Sequence, residues 1–349
     1  MFAQPMAKAG LTAILLLGAF APALAGPYTA GYVFGDSLSD NGNLAGILPA
    51  HTNFPNPPSY HDSFTNGPVS AQLLAGSLGL TLNPSLWVTG FQDTFNLFGG
   101  ASFRPGTNYA VAGATASAQA VGGPPGINLP QQVAAFGAAT ALAADPNALY
   151  VIDIGGNDVR NAARQGTGTA AVQTGVAAEL AAVQALVAEG AKKFLVVNVP
   201  NVGVIPEFAQ DNPTLAGAAT LYSQQYDLAL ASGLAALALP AGTSVTQFDL
   251  YGFNTGLLAN AASYGLTNTT DRCYTSTPYS AATTAQCGAN AANIGQFFYW
   301  DSIHPSATVQ ALWATGFEAA LNVPEPSSLA LLGAGVLAVA GMTRRRRTS

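Results

Sequence analysis

Short apolar runs alternate along this chain with longer stretches in which apolar residues recur every three or four positions. Residues 32–34, 109–111, 148–154, 194–199 and 245–251 are runs of the first kind, rich in Val, Ile and aromatics and each closed by Gly, Pro or a small residue. They predict buried strands. Residues 69–80, 129–142, 169–188, 215–239 and 306–321 carry helical spacing. Pro68 suits a first helical position, Asp145-Pro146 breaks the second helix, and Gly190 caps the third. Strands and helices that alternate at least four times predict an α/β fold with a parallel sheet covered on both faces. Residues 47–65, rich in Pro, Asn and Ser, read as a surface loop. Residues 83–107 are irregular, and their scattered Trp and Phe read as a satellite core under a long loop.

The two ends do not follow this alternation. Residues 1–25 have a basic Lys8, an apolar stretch and Ala23-Leu24-Ala25, the layout of a cleaved secretory signal peptide. At the other end, Pro324-Glu325-Pro326 leads into an uncharged apolar segment, 329–342, and then Arg344 to Arg347. That segment is short for a full membrane span. The organisation expected is therefore a signal peptide over 1–25, one domain over 26–322 and a tail over 323–349.

Charge narrows the partners. The body has six Lys and Arg residues against sixteen Asp and Glu, a net charge of about −10. Such a body has no basic patch for nucleic acid. The first strand is not followed by a Gly-x-Gly-x-x-Gly turn, so a dinucleotide site is unsupported. The two cysteines, Cys273 and Cys287, in an exported chain suggest one local disulfide.

Candidate chemistry lies just past the strand ends, where open α/β sheets place their ligands. Ser37 follows the first strand, in Gly35-Asp36-Ser37. A serine hydroxyl is a weak nucleophile unless a base takes its proton and a third group orients the base. Of the three histidines, His51 and His61 lie in the Pro/Asn loop. His304 has Asp301 three residues before it, ahead of the closing helix. Asp301 reads either as the helix N-cap or as the partner of the ring Nδ1, and both fit one residue. Gly113 and Asn157, after the second and third strands, could supply a backbone and a side-chain donor to an oxyanion.

Four blocks carry a resemblance: Gly35-Asp36-Ser37-Leu38-Ser39-Asp40, Asn108-Tyr109-Ala110-Val111-Ala112-Gly113, Gly155-Gly156-Asn157-Asp158 and Asp301-Ser302-Ile303-His304-Pro305. Together they resemble the GDSL, or SGNH, esterase/lipase family. The resemblance implies a three-layer α/β/α, flavodoxin-like fold with Ser37 as nucleophile, His304 as base and Asp301 as its orienting carboxylate. It implies an oxyanion hole from Ser37, Gly113 and Asn157, an ester substrate, and no metal or organic cofactor. A carbohydrate O-deacetylase, a phospholipid acyl hydrolase and a non-catalytic surface protein are the alternatives. The tail resembles the PEP-CTERM sorting signal of Gram-negative bacteria. That implies export across the inner membrane, transient membrane association through 329–342 and processing by an exosortase-type protease. The protein would then reside in the periplasm, at the cell surface or in the extracellular matrix.

Overall fold

A computed structural model describes residues 27–47, 59–85, 106–117, 127–274 and 291–322. The expected signal peptide, the sorting tail, Cys287 and most of 83–107 lie outside the described residues. Four strands, β1 (Gly31–Gly35), β2 (Leu149–Asp153), β3 (Lys193–Val197) and β4 (Ser244–Phe248), form a parallel sheet in that order. Their registers align Gly35 with Asp153, Asp153 with Val197 and Val197 with Phe248. All four strands therefore end at one level, and whatever follows them shares one rim.

Residues 109–111 do not form a full strand. They lie along the free edge of β1, where Tyr109 and Val111 donate backbone N–H groups to Val33 and Gly35 at 2.7 and 3.1 Å. Counted as an edge, this segment gives the flavodoxin-like order in which the chain's second segment flanks its first. The run at 245–251 also ends early. Asp249 accepts the Gly252 N–H through its side chain at 2.9 Å, so it caps a helix over Leu250–Ala259.

Helices cover both faces. The main ones are α1 (Ser70–Ser77), α2 (Leu129–Thr140), α3 (Gly156–Gln165), α4 (Gly168–Glu189), α5 (Pro213–Ala236), α6 (Leu250–Ala259) and α7 (Ala307–Ala320). Helices α2, α3, α4 and α5 pack against one another, while α1 packs on α7. Phe136 of α2 meets Tyr32, Phe34 and Tyr150 edge-on at 4.9 to 5.8 Å. On β4, Phe248 meets Phe317 of α7 at 4.9 Å. Both contacts bury whole rings, and losing one such ring costs about 3–5 kcal/mol.

The loop expected at the surface is only partly so. In its described part, Ser59, Ser63, Phe64 and Thr65 are buried. Thr65 donates to the Pro305 carbonyl, and the Asn66 side chain accepts the Ala307 N–H that opens α7. Polar composition suggested solvent, but these groups instead satisfy backbone at the start of the last helix.

Candidate active site

The turn after β1 is built by its own carboxylates. Asp36 accepts the Leu38 N–H on its side chain and the Ser39 and Asp40 N–H groups on its carbonyl. Asp40 accepts four backbone N–H groups, from Gly42, Asn43, Leu44 and Ala112, at 2.7 to 3.1 Å. It thereby ties the Ser37 turn to the segment that carries Gly113. Burial still pushes the Asp40 carboxyl up to about 6, against those four bonds. A Cβ on Gly35 would collide with the Asp153 carbonyl oxygen, so only glycine lets β1 and β2 run this close where they end.

Ser37 lies two residues past Gly35. Its Oγ stands 2.7 Å from His304 Nε2. The other ring nitrogen, Nδ1, is 2.8 and 3.0 Å from the two Asp301 oxygens. Asp301 is fully buried and His304 nearly so. The loop that holds them is not a helix start. The Trp300 N–H donates to the His304 carbonyl and the Ser306 N–H to that of Phe298, closing a tight turn after a short strand, Phe297–Tyr299. Inside it, Asp301 Oδ1 accepts the N–H groups of Ile303 and His304 at 2.8 and 2.7 Å. Ser306 takes the N-cap position of α7, so the reading of Asp301 as that cap is corrected. A proline-bounded turn, rather than helical geometry, carries the carboxylate to the imidazole.

Gly113 has a φ of +84°, in the turn after the β1 edge segment. Among the described residues, neither its N–H nor that of Ser37 has a hydrogen-bond partner. Val111, two residues before Gly113, pairs with Gly35, two residues before Ser37. Asn157 sits in the first turn of α3, four residues past the end of β2. Its Nδ2 donates to the Ala114 carbonyl at 2.8 Å and reaches Asp36 Oδ2 at 3.4 Å. Burial, together with the Asp153 charge, holds the Asp36 carboxyl well above the usual range. Cys273 is buried, and Cys287, its expected partner, lies outside the described residues.

A cleft of about 240 Å³ opens from Ser37 and Asn157. Val202, Ile205, Leu258, Phe298, Ile303 and Trp313 give it an apolar wall. Three groups around the site were not singled out from sequence. Gln132 brackets Gly35, accepting its N–H and donating to its carbonyl at 2.8 and 2.7 Å. Asp158 accepts the N–H groups of Ala116 and Ser117. Arg160 and Glu207 form an ion pair at 2.6 Å beside Asn157. Asp158 stood inside a quoted block, but Gln132, Arg160 and Glu207 carry no local signal.

Residues 32–317 match the model of the GDSL-like lipase/acylhydrolase family, and residues 322–347 match the PEP-CTERM protein-sorting motif. A GDSL esterase/lipase of Arabidopsis thaliana, LIP-4, is 27% identical over 318 residues, covering 80% of this chain and 83% of that protein. Lipase 1 of Photorhabdus luminescens is 33% identical over 180 residues, 51% of this chain and 23% of that one. Among solved structures, the acetylxylan esterase Axe2 of Geobacillus stearothermophilus superposes with a TM-score of 0.39 at 14% identity, covering 86% of this chain and 98% of its own.

Proposed function

Because this chain belongs to the GDSL-like lipase/acylhydrolase family, and so is a serine hydrolase of carboxylic esters, we propose that Ser37, His304 and Asp301 are its catalytic triad. The observation that carries the assignment is the unbroken relay from Asp301 through His304 to Ser37, at 2.8 and 2.7 Å. With Nδ1–H held on the Asp301 carboxylate, Nε2 faces Ser37 as an acceptor. It takes the hydroxyl proton as Oγ attacks the ester carbonyl. The same proton then goes to the departing alkoxide, and water releases the acid from the acyl-serine by the reverse sequence.

Attack puts negative charge on the former carbonyl oxygen. The partnerless N–H groups of Ser37 and Gly113 and the Asn157 amide supply donors there. The apolar cleft beside Ser37 supports an ester with an extended apolar acyl chain over an acetylated sugar.

The chain carries the PEP-CTERM motif, a mark of export and surface sorting in Gram-negative bacteria. In the full reading, segment 329–342 holds the precursor in the membrane until an exosortase-type protease acts at Pro324-Glu325-Pro326.

The test is labelling with a fluorophosphonate and turnover of nitrophenyl esters of graded chain length. Labelling at Ser37, loss of turnover in a folded Ser37→Ala variant and a rate maximum beyond acetate are expected. Full turnover in Ser37→Ala would refute the nucleophile. A preference for acetyl-polysaccharide would refute the acyl assignment.

A further inference from the structure

Asn157 is a carboxamide, and its two ends have nearly the same shape. An oxyanion donor must present its NH2 end to the reacting carbonyl. Something has to encode that orientation. Arg160, one turn further along α3, carries donors only. Its Nη1 donates to Asn157 Oδ1 at 2.9 Å, while the Ala114 carbonyl and Asp36 Oδ2 accept from Nδ2, so the two ends of the amide are held from opposite sides.

Arg160 is itself held. Its Nε donates to Glu207 Oε2 at 2.6 Å, and Arg164 Nε stands 2.7 Å from the other Glu207 oxygen. Glu207 is buried, although it belongs to a short π-helical turn, Glu207–Asp211, that lies 47 positions from Arg160 in sequence. The backbone N–H of Glu207 donates to the Ser302 carbonyl at 2.9 Å, inside the loop that carries Asp301 and His304. Arg272 pairs bidentately with Asp211 at the far end of the same turn. The body has six basic residues, and three of them converge here. Arg164 stays half exposed, whereas Arg160 is mostly buried against Glu207.

We propose that Arg160, braced by Glu207, is a positioning residue that fixes the amide orientation of Asn157. Glu207 links this brace to the histidine loop, so the donor side and the base side of the site share one strut. The inference rests on the assignment of Asn157 as an oxyanion donor.

A double-mutant cycle tests it. Arg160→Met removes the donor that holds Oδ1 and leaves only the Ala114 carbonyl and Asp36 to fix the amide, so kcat falls about tenfold or more while KM stays within about twofold. The loss does not exceed that of Asn157→Ala, which is about 10²–10³ for a single oxyanion donor. In the Asn157→Ala background, Arg160→Met adds nothing, because no amide remains to orient. Additive losses, or a raised KM at unchanged kcat, overturn the proposal and make Arg160 a structural or substrate-binding group. Arg160→Lys covers the case in which Arg160→Met does not fold. Its single ammonium satisfies Glu207 but has no second arm for Asn157, so kcat falls here too. Wild-type kcat in folded Arg160→Lys overturns the proposal. If Asn157→Ala alone keeps full activity, the underlying oxyanion assignment fails, and the two failures are told apart.

Discussion

His304 Nε2 stands 2.7 Å from Ser37 Oγ, although 267 positions separate the two residues. Neither side chain reaches the other by local geometry. Ser37 is placed by the end of β1, and His304 by a turn pinned to the short strand Phe297–Tyr299 and to the start of α7. The contact therefore reports on the whole sheet and on the last loop at once, and each prediction below perturbs one part of that assembly.

Asp301→Asn is expected to lower kcat by about 10⁴ with little loss of stability. The Asp301 Oδ1 that accepts the Ile303 and His304 N–H groups keeps its role in asparagine. The amide nitrogen then faces Nδ1 and forces the proton onto Nε2, where it points at Ser37. Steady-state kinetics beside a thermal melt checks this. A fall of less than about tenfold would remove Asp301 from the relay.

Gly35→Ala is expected to lose both stability and activity. The added methyl meets the Asp153 carbonyl oxygen, and backbone held in register between paired strands yields poorly. Overpacking of this kind costs about 1–3 kcal/mol. Denaturant unfolding should show the loss, and turnover should fall with it, because Ser37 follows two residues later.

Asp227→Asn is expected to flatten the dependence of stability on pH. Burial pushes the Asp227 carboxyl up to about 8, while its Oδ1 accepts the Val199 N–H. A raised carboxyl releases its proton in the unfolded chain first, so stability is complete below about pH 4 and is lost as pH rises toward 8. Asparagine keeps the acceptor without the charge. The variant should match the parent near pH 4 and melt higher at pH 8. Equal melting temperatures at pH 8 would count against the burial argument.

Leu258→Trp is expected to shorten the acyl range. Leu258 lines the cleft that opens from Ser37. Turnover of longer nitrophenyl esters should fall at least about tenfold relative to acetate, since lost apolar burial is worth about 0.8 kcal/mol per CH₂. A uniform change across chain lengths would place the acyl group elsewhere.

Much of the site was legible before any coordinates. Ser37, Gly113, Asp301 and His304 sit in turns and Asn157 opens a helix, and turn and helix-start chemistry is written in a few adjacent residues. The strands were legible because each is a short apolar run closed by a breaker. Where the reading failed, a local signal competed with a longer pattern. The run 245–251 looked like one strand, yet Asp249 caps a helix within it. Residues 59–65 looked like solvent-facing loop, yet Phe64 packs against the His304 ring at 5.2 Å.

By itself the sequence determined the alternation of strands and helices, the small residues that open the rim, and the identity of the groups able to do acyl chemistry. Those properties follow from periodicity and side-chain type, which neighbouring residues settle among themselves. Only the tertiary structure decided that separated segments carrying Ser37 and the Asp301–His304 turn meet at one edge, that Glu207 reaches Arg160, and that an apolar cleft adjoins Ser37. These depend on strand order and register, and no run of adjacent residues specifies which distant segment will close the gap.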